Sequence, residues 1–222
     1  MNLQLAANIY LLVCSGISLV CGIVRILGKK KAPTYLLFII FAILSAFLSR
    51  IFYTISIALY GGLPEIFNIG FLGYAAMFLF MFFANFGQID LLVDDRRTMK
   101  ATYRIIPVII PAAELAAAVC GLFFGTAEFS VRVSFLIISV IAGFAGYLNM
   151  KHLIVPDIDF GIVKSIRGYN LIAFLTGIFS LAEIGLSVFG YNDIIIFVQF
   201  ILGIFYAVMI PVIVSEVKKW TR

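Results

Sequence analysis

Three ionisable residues, Arg50, Glu114 and Glu183, stand inside long apolar stretches of this 222-residue chain. A charge at membrane depth costs at least about 2.5 kcal/mol unless it is paired, hydrated or neutralised, so each needs a physical reason to be there. An arginine and a glutamate can form a forked ion pair, and a lone glutamate can hold or release a proton. Weakly polar neighbours recur around them at helical steps. Ala173, Thr176, Ser180, Glu183 and Ser187 share one helix face, three or four residues apart. Ala42, Ser45, Ser49, Tyr53, Ser56 and Tyr60 do the same beside Arg50, and Gln199, Gly203 and Tyr206 form a third line. Asn85 and Gln88 add two amides. The candidate site is therefore Arg50, Tyr53, Asn85, Gln88, Glu114, Glu183, Gln199 and Tyr206, read as ligand-binding or ion-pairing groups. The bland alternative is packing, because small and weakly polar residues let membrane helices approach closely. That reading accounts for most of the serines, glycines and alanines.

Other chemistries lack their residues. The one histidine, His152, cannot supply a three-ligand zinc site or the paired axial ligands of a membrane haem. There is no His-Glu-x-x-His motif and no Cys-x-x-Cys pair. Cys14, Cys21 and Cys120 fall in apolar runs, and the first two share a helix face, so no disulfide framework follows. A retinal Schiff base would need a lysine in the last apolar run, and none stands between Asp193 and Lys218. Asp159, Phe160 and Gly161 spell a kinase triplet without its context. No metal, no cofactor, no catalytic residue and no enzyme activity are expected.

Composition defines the elements that must carry these residues. Hydrophobic residues make up 64% of the chain and charged ones 12%, with a mean hydropathy of +1.15. A soluble domain of this size could not cover that much apolar surface, whereas lipid requires it. A helix needs about 20 apolar residues to cross the hydrocarbon core. Runs of that kind span roughly 5–26, 34–60, 66–93, 104–124, 131–150, 168–189 and 194–214. Gly, Pro and charge break nearly every junction, as in the stretch from Gly28 to Pro33 or from Gly190 to Asp193. The expectation is an all-α, seven-helix transmembrane bundle over residues 1–222, as a single domain. The first run lacks a basic leader and a convincing cleavage site, so it reads as a permanent helix.

Orientation follows from charge. All but two of the sixteen Lys and Arg, Arg50 and Arg132, lie after the first, third, fifth and seventh runs. The positive-inside rule makes that side cytoplasmic, with the N-terminus outside and the C-terminus inside. The expected setting is a bacterial or archaeal plasma membrane. The pI near 9.2 is then a matter of topology, and nucleic acid is not an expected partner. Glu128 and Arg132, four apart at the outer boundary, read as an interface pair, and Asp90, Asp94, Asp95, Arg96 and Arg97 as a solvated helix end. The stretch from Pro33 resembles the one from Arg167, which raises a three-plus-one-plus-three internal repeat of parallel halves.

Depth sorts the three buried ions. At ~1.5 Å per residue, Arg50 lies roughly 24 Å and Glu183 roughly 22 Å from the inner boundary, close enough to pair. Glu114 lies roughly 14 Å in, near the midplane, where it is protonated or bonded to Asn85 or Gln88. The leading expectation is a receptor- or sensor-like module that binds a small molecule in the outer half, at a charged floor rimmed by Tyr53, Tyr60 and Tyr74. It would work with a cytoplasmic or membrane partner protein. The alternatives are a proton-coupled secondary transporter, with Glu114 and Glu183 as proton sites, and a structural subunit of a membrane complex. The lipid bilayer is the partner common to all three.

Overall fold

The computed structural model describes residues 3–27, 34–64, 66–86, 90, 94, 100–155 and 162–220, leaving aside the side chains of 162–166, 192 and 216–220. Lys29, Lys30, Lys31, Gln88, Asp95, Arg96, Arg97, Asp157, Asp159 and Arg222 therefore lie outside the description, as do the side chains of Lys164, Lys218, Lys219 and Trp220. Among the described residues every regular element is a helix. These are α1 (Leu3–Leu27), α2 (Thr34–Tyr60), α3 (Ile69–Asn85), α4 (Thr102–Phe124), α5 (Phe129–Ile154), α6 (Ile162–Phe189) and α7 (Asn192–Trp220). All but α3 are long and apolar enough to cross a membrane, and α3 is a shorter apolar helix of the same character.

Helix ends depart from the apolar runs in both directions. The third run was expected over 66–93, yet α3 has 17 residues. The Asn68 side chain accepts from Gly70 N at 3.0 Å and fixes its start, and Phe86 turns to an extended conformation at its end. Elsewhere the helices outlast their apolar runs: α5 continues past Met150 to Ile154, and α6 begins before Gly168. A helix needs hydrogen bonds, and only its lipid-facing part needs apolar side chains. The glycines Gly61 and Gly190 follow α2 and α6 with φ of 79° and 80°, the left-handed conformation that ends a helix. Pro107 sits in a 3-10 turn (Ile106–Val108) that interrupts α4, as a missing N–H donor requires.

Six of the helices close a ring in the order α1–α2–α3–α5–α6–α7, and α7 returns to α1. Helix α4 stands outside it, against α5 and, more lightly, α6. Advancing each ring helix by four places carries every contact onto another: α1·α2 onto α5·α6, α2·α3 onto α6·α7, and α3·α5 onto α7·α1. The two light cross-ring contacts, α2·α7 and α3·α6, exchange in the same way.

Polarity is inverted relative to a soluble protein. Asn8, Arg50, Asn85, Asn149, His152, Glu183 and Gln199 are buried, while Leu48, Ile55, Phe83, Phe123, Phe144, Phe197 and Ile204 face outward. Contiguous apolar surface on this scale belongs in lipid. Close approach inside the ring uses small residues. At Gly73 of α3 an added Cβ would lie 2.7 Å from Ser49 Cβ and 2.9 Å from the Ser45 carbonyl oxygen of α2. Ser49 Oγ also donates to Gly70 O at 3.0 Å across that seam.

The seam makes a direct prediction. Gly73→Val should destabilise the protein by about 1–3 kcal/mol, since backbone rather than a flexible side-chain tip must move. Unfolding of purified protein in mixed micelles would measure this, and an unchanged midpoint would contradict the packing described.

Candidate functional site

The ring brings Arg50 of α2 and Glu183 of α6 together from opposite sides. Arg50 Nη1 donates to Glu183 Oε1 at 2.7 Å, and Nη2 donates to Oε2. The pair is forked, with the arginine only 1% exposed. Three further helices complete it. Tyr74 of α3 accepts from Arg50 Nη2 and donates to Glu183 Oε2 at 2.6 Å. Gln199 of α7 donates to Glu183 Oε1 at 2.6 Å, and Asn8 of α1 takes a longer bond from Arg50 Nη1 at 3.5 Å. Each carboxylate oxygen thus accepts two hydrogen bonds, which fills its lone-pair capacity. Arg50 Nε and Gln199 Oε1 remain buried without a partner.

A route to the surface reaches the cluster from one end of the bundle. A narrow cavity of about 40 Å³ is lined by Glu183, Tyr53, Tyr74, Asn68 and Ser187, among others. Its mouth shares Leu63, Pro64, Val131 and Ser187 with an open vestibule of about 870 Å³, whose rim includes Gln4, Glu128 and Arg132. One water needs roughly 10–15 Å³ by the same measure, so the cavity has room for about three. Glu183 is the only ionisable carboxylate on its wall, and Arg50 lies behind it.

The remaining candidates separate. Tyr53 lines the cavity with its ring near that of Tyr74, centroids 6.3 Å apart. Tyr206 does not line the cavity; its hydroxyl lies 3.4 Å from Ser180 Oγ and donates to Met77 Sδ at 3.6 Å. Tyr60, expected on the rim, is 84% exposed and does not line the cavity. Asn85 does not meet Glu114: it donates to Asn149 Oδ1 at 2.7 Å, and His152 Nδ1 lies 3.2 Å from its own Oδ1. Glu114 sits instead against the α5 glycines Gly143 and Gly146, with Oε2 buried and without a partner.

Two readings of charge need correction. Glu128 and Arg132 do not pair: Glu128 caps α5 by accepting from Ser130 N at 3.3 Å, while Arg132 donates to Leu122 O at 2.8 Å. A helix N-terminus offers free N–H groups and a C-terminus free carbonyls, and these outcompete an exposed ion pair. Asp90 and Asp94 are not a simply solvated end either. Lys151 of α5 lies 2.7 Å from Asp90 and 2.9 Å from Asp94, Arg104 of α4 holds Asp94, and His152 Nε2 is 3.2 Å from Asp90. With Asn85 and Asn149 these groups form a second, partly buried polar cluster, at the end opposite the vestibule. No periodic pattern marks it, since its members come from three segments.

Inverted polarity and a ring of long apolar helices define an integral, multi-pass α-helical membrane protein. Compared with protein-family models, curated proteins and solved structures, the chain matches none.

Burial would raise the Asp90 carboxyl, but hydrogen bonds from His152 and Lys151 outweigh it and hold the group below its ordinary 3.8. Its ionised form therefore stabilises the cluster above that pH, and the contribution is lost as pH falls through the lowered value. Hydrogen exchange at the ends of α3 and α5 should accelerate on acidification below about pH 3.8. Asp90→Asn should exchange faster at neutral pH and lose that acid step; a variant retaining the full step would contradict the assignment.

Proposed function

We propose that the protein is a small receptor- or sensor-like module that spans the membrane seven times, with the vestibule outside and the C-terminus in the cytoplasm. The single observation that carries this reading is the cavity that leads from the vestibule to Glu183 of the Arg50–Glu183 cluster. The vestibule, about 870 Å³, falls within the ≈ 300–1,000 Å³ usual for small-molecule pockets. The cavity below it ends on Glu183. The distribution of Lys and Arg along the chain supports the orientation.

The ligand class follows from what the wall offers. Glu183 can only accept hydrogen bonds when ionised, Tyr53 and Tyr74 contribute aromatic side chains, and Phe71, Ile184 and Ile195 are apolar. A small molecule with an apolar body and a donor head group, such as an amine, suits that wall. Its body would occupy the vestibule and its head group the cavity. Binding would replace one of the donors on Glu183, Tyr74 or Gln199, and so act on α3 or α7 directly. The Asn85–Asn149–His152 cluster lies on α3 and α5 at the far end, where a shift of α3 would be felt by a cytoplasmic partner.

A second reading, a secondary transporter, is favoured by the charged cluster that lies at the end opposite the vestibule. In that reading the ion pairs of Lys151 and Arg104 close the inner end and separate during transport. Uptake of a labelled amine into proteoliposomes distinguishes the two.

Ser187→Cys tests the shared premise. The thiol should react with a membrane-impermeant reagent added outside intact cells, and amines that bind should slow the reaction. Their protection should weaken at least tenfold in Glu183→Gln, a loss of about 1.4 kcal/mol in binding. A thiol that reacts only from the cytoplasmic side, or protection indifferent to Glu183, would overturn the proposal.

A further inference from the structure

Glu114 belongs to neither polar cluster. It projects from α4, the helix outside the ring, into the seam with α5 and α6. Two glycines make that seam. A Cβ at Gly143 would meet Pro111 Cβ at 2.9 Å, and one at Gly146 would meet Ile110 Cγ2 at 2.9 Å. The same two positions lie 3.5 and 3.4 Å from the carboxyl oxygens of Glu114. Larger residues would therefore push α4 away and crowd the carboxyl.

The space in front of the carboxyl holds no balancing charge. A crevice of about 10 Å³ is walled by α3, α5 and α6, and Glu114 is the only ionisable residue on it. Met81 and Phe78 close it from α3, Ala173 and Gly177 from α6, and Gly146 and Asn149 from α5. Among the described residues no Lys, Arg or His is ion-paired with Glu114, and its Oε2 has no hydrogen-bond partner. An unpaired carboxylate in a low-dielectric seam is strongly disfavoured against its neutral acid.

One wall of the crevice leads outward. Asn149 lines it and also accepts from Asn85, whose Oδ1 faces His152; the other ring nitrogen of His152 faces Asp90. This line of polar groups runs from the crevice to the Lys151 end of the bundle. The volume is about one water probe, so a single water can stand between the carboxyl and Asn149.

From this placement we infer that Glu114 is a proton-binding site, separate from the Arg50–Glu183 cluster and in exchange with the Lys151 end of the bundle through the crevice at Asn149. The ligand is H⁺. Loading transfers one proton from hydronium to Oε2, cancels one negative charge and leaves water; release is the reverse, and no further reactant is needed. The inference goes beyond the ligand-binding proposal, because it uses neither the vestibule nor Glu183.

Infrared spectroscopy of the full chain in lipid tests it. The carboxylic C=O stretch of a protonated, poorly hydrated acid should be present near neutral pH, vanish in Glu114→Gln and persist in Glu183→Gln. Transfer to D₂O should shift the band, and Asn149→Leu should slow that shift severalfold without removing the band. Modification by a hydrophobic carbodiimide, which needs a protonated carboxyl, should map to Glu114 in the unmutated protein and decline as pH rises. This second readout stands even where Glu114→Gln does not fold. Absence of a Glu114 band, a band that never shifts in D₂O, or carbodiimide labelling indifferent to pH would each overturn the inference.

Discussion

A buried arginine beside a buried glutamate is the constraint on which this bundle depends. In a medium without water neither charge is tolerable alone, and together they are tolerable only if their remaining donors and acceptors are filled. The ring supplies those partners from five helices: Asn8 from α1, Arg50 from α2, Tyr74 from α3, Glu183 from α6 and Gln199 from α7. Satisfying one ion pair thus fixes the relative depth and rotation of five helices at once. Apolar packing in lipid discriminates poorly between alternative arrangements, because a leucine meets lipid about as well as it meets another leucine. The polar cluster supplies the discrimination.

The two ends of the bundle then solve different problems. At one, a vestibule and a narrow cavity lead to Glu183, with Arg50 behind it. At the other, Lys151, Arg104, Asp90, Asp94 and His152 tie the end of α5 to α4 and to the region after α3. Helix α3 carries both Tyr74 and Asn85, so a displacement at one cluster has a rigid element by which to reach the other. Helix α4 contributes least to the ring; only Pro107, Ala118 and Gly121 of it are buried. Its carboxyl Glu114 nonetheless faces inward.

Much of this was legible in the sequence, for identifiable reasons. Long apolar runs revealed the helices, and counting depth along oppositely placed runs put Arg50 and Glu183 at one level, where the structure pairs them. Periodicity found Gln199 and Tyr206 on an inward line. It did not find Asn8, a single amide near the chain's start, nor foresee that Tyr74 bonds the pair rather than merely rimming a pocket. The second cluster was hidden because Asn85, Asn149 and His152 meet across more than sixty residues of chain, the two amides inside separate apolar runs and His152 just beyond one. Spacing misled at Glu128 and Arg132, where free helix termini competed for both side chains.

The most direct measurement of the central claim is a double-mutant cycle on Arg50→Met and Glu183→Met, read as unfolding free energy in mixed micelles. Each single variant leaves an uncompensated buried charge and should lose about 3–5 kcal/mol. The double variant should recover part of that loss, with a coupling of about 0.5–3 kcal/mol. Strictly additive losses would show that the two charges are not each other's partners, and would contradict the account.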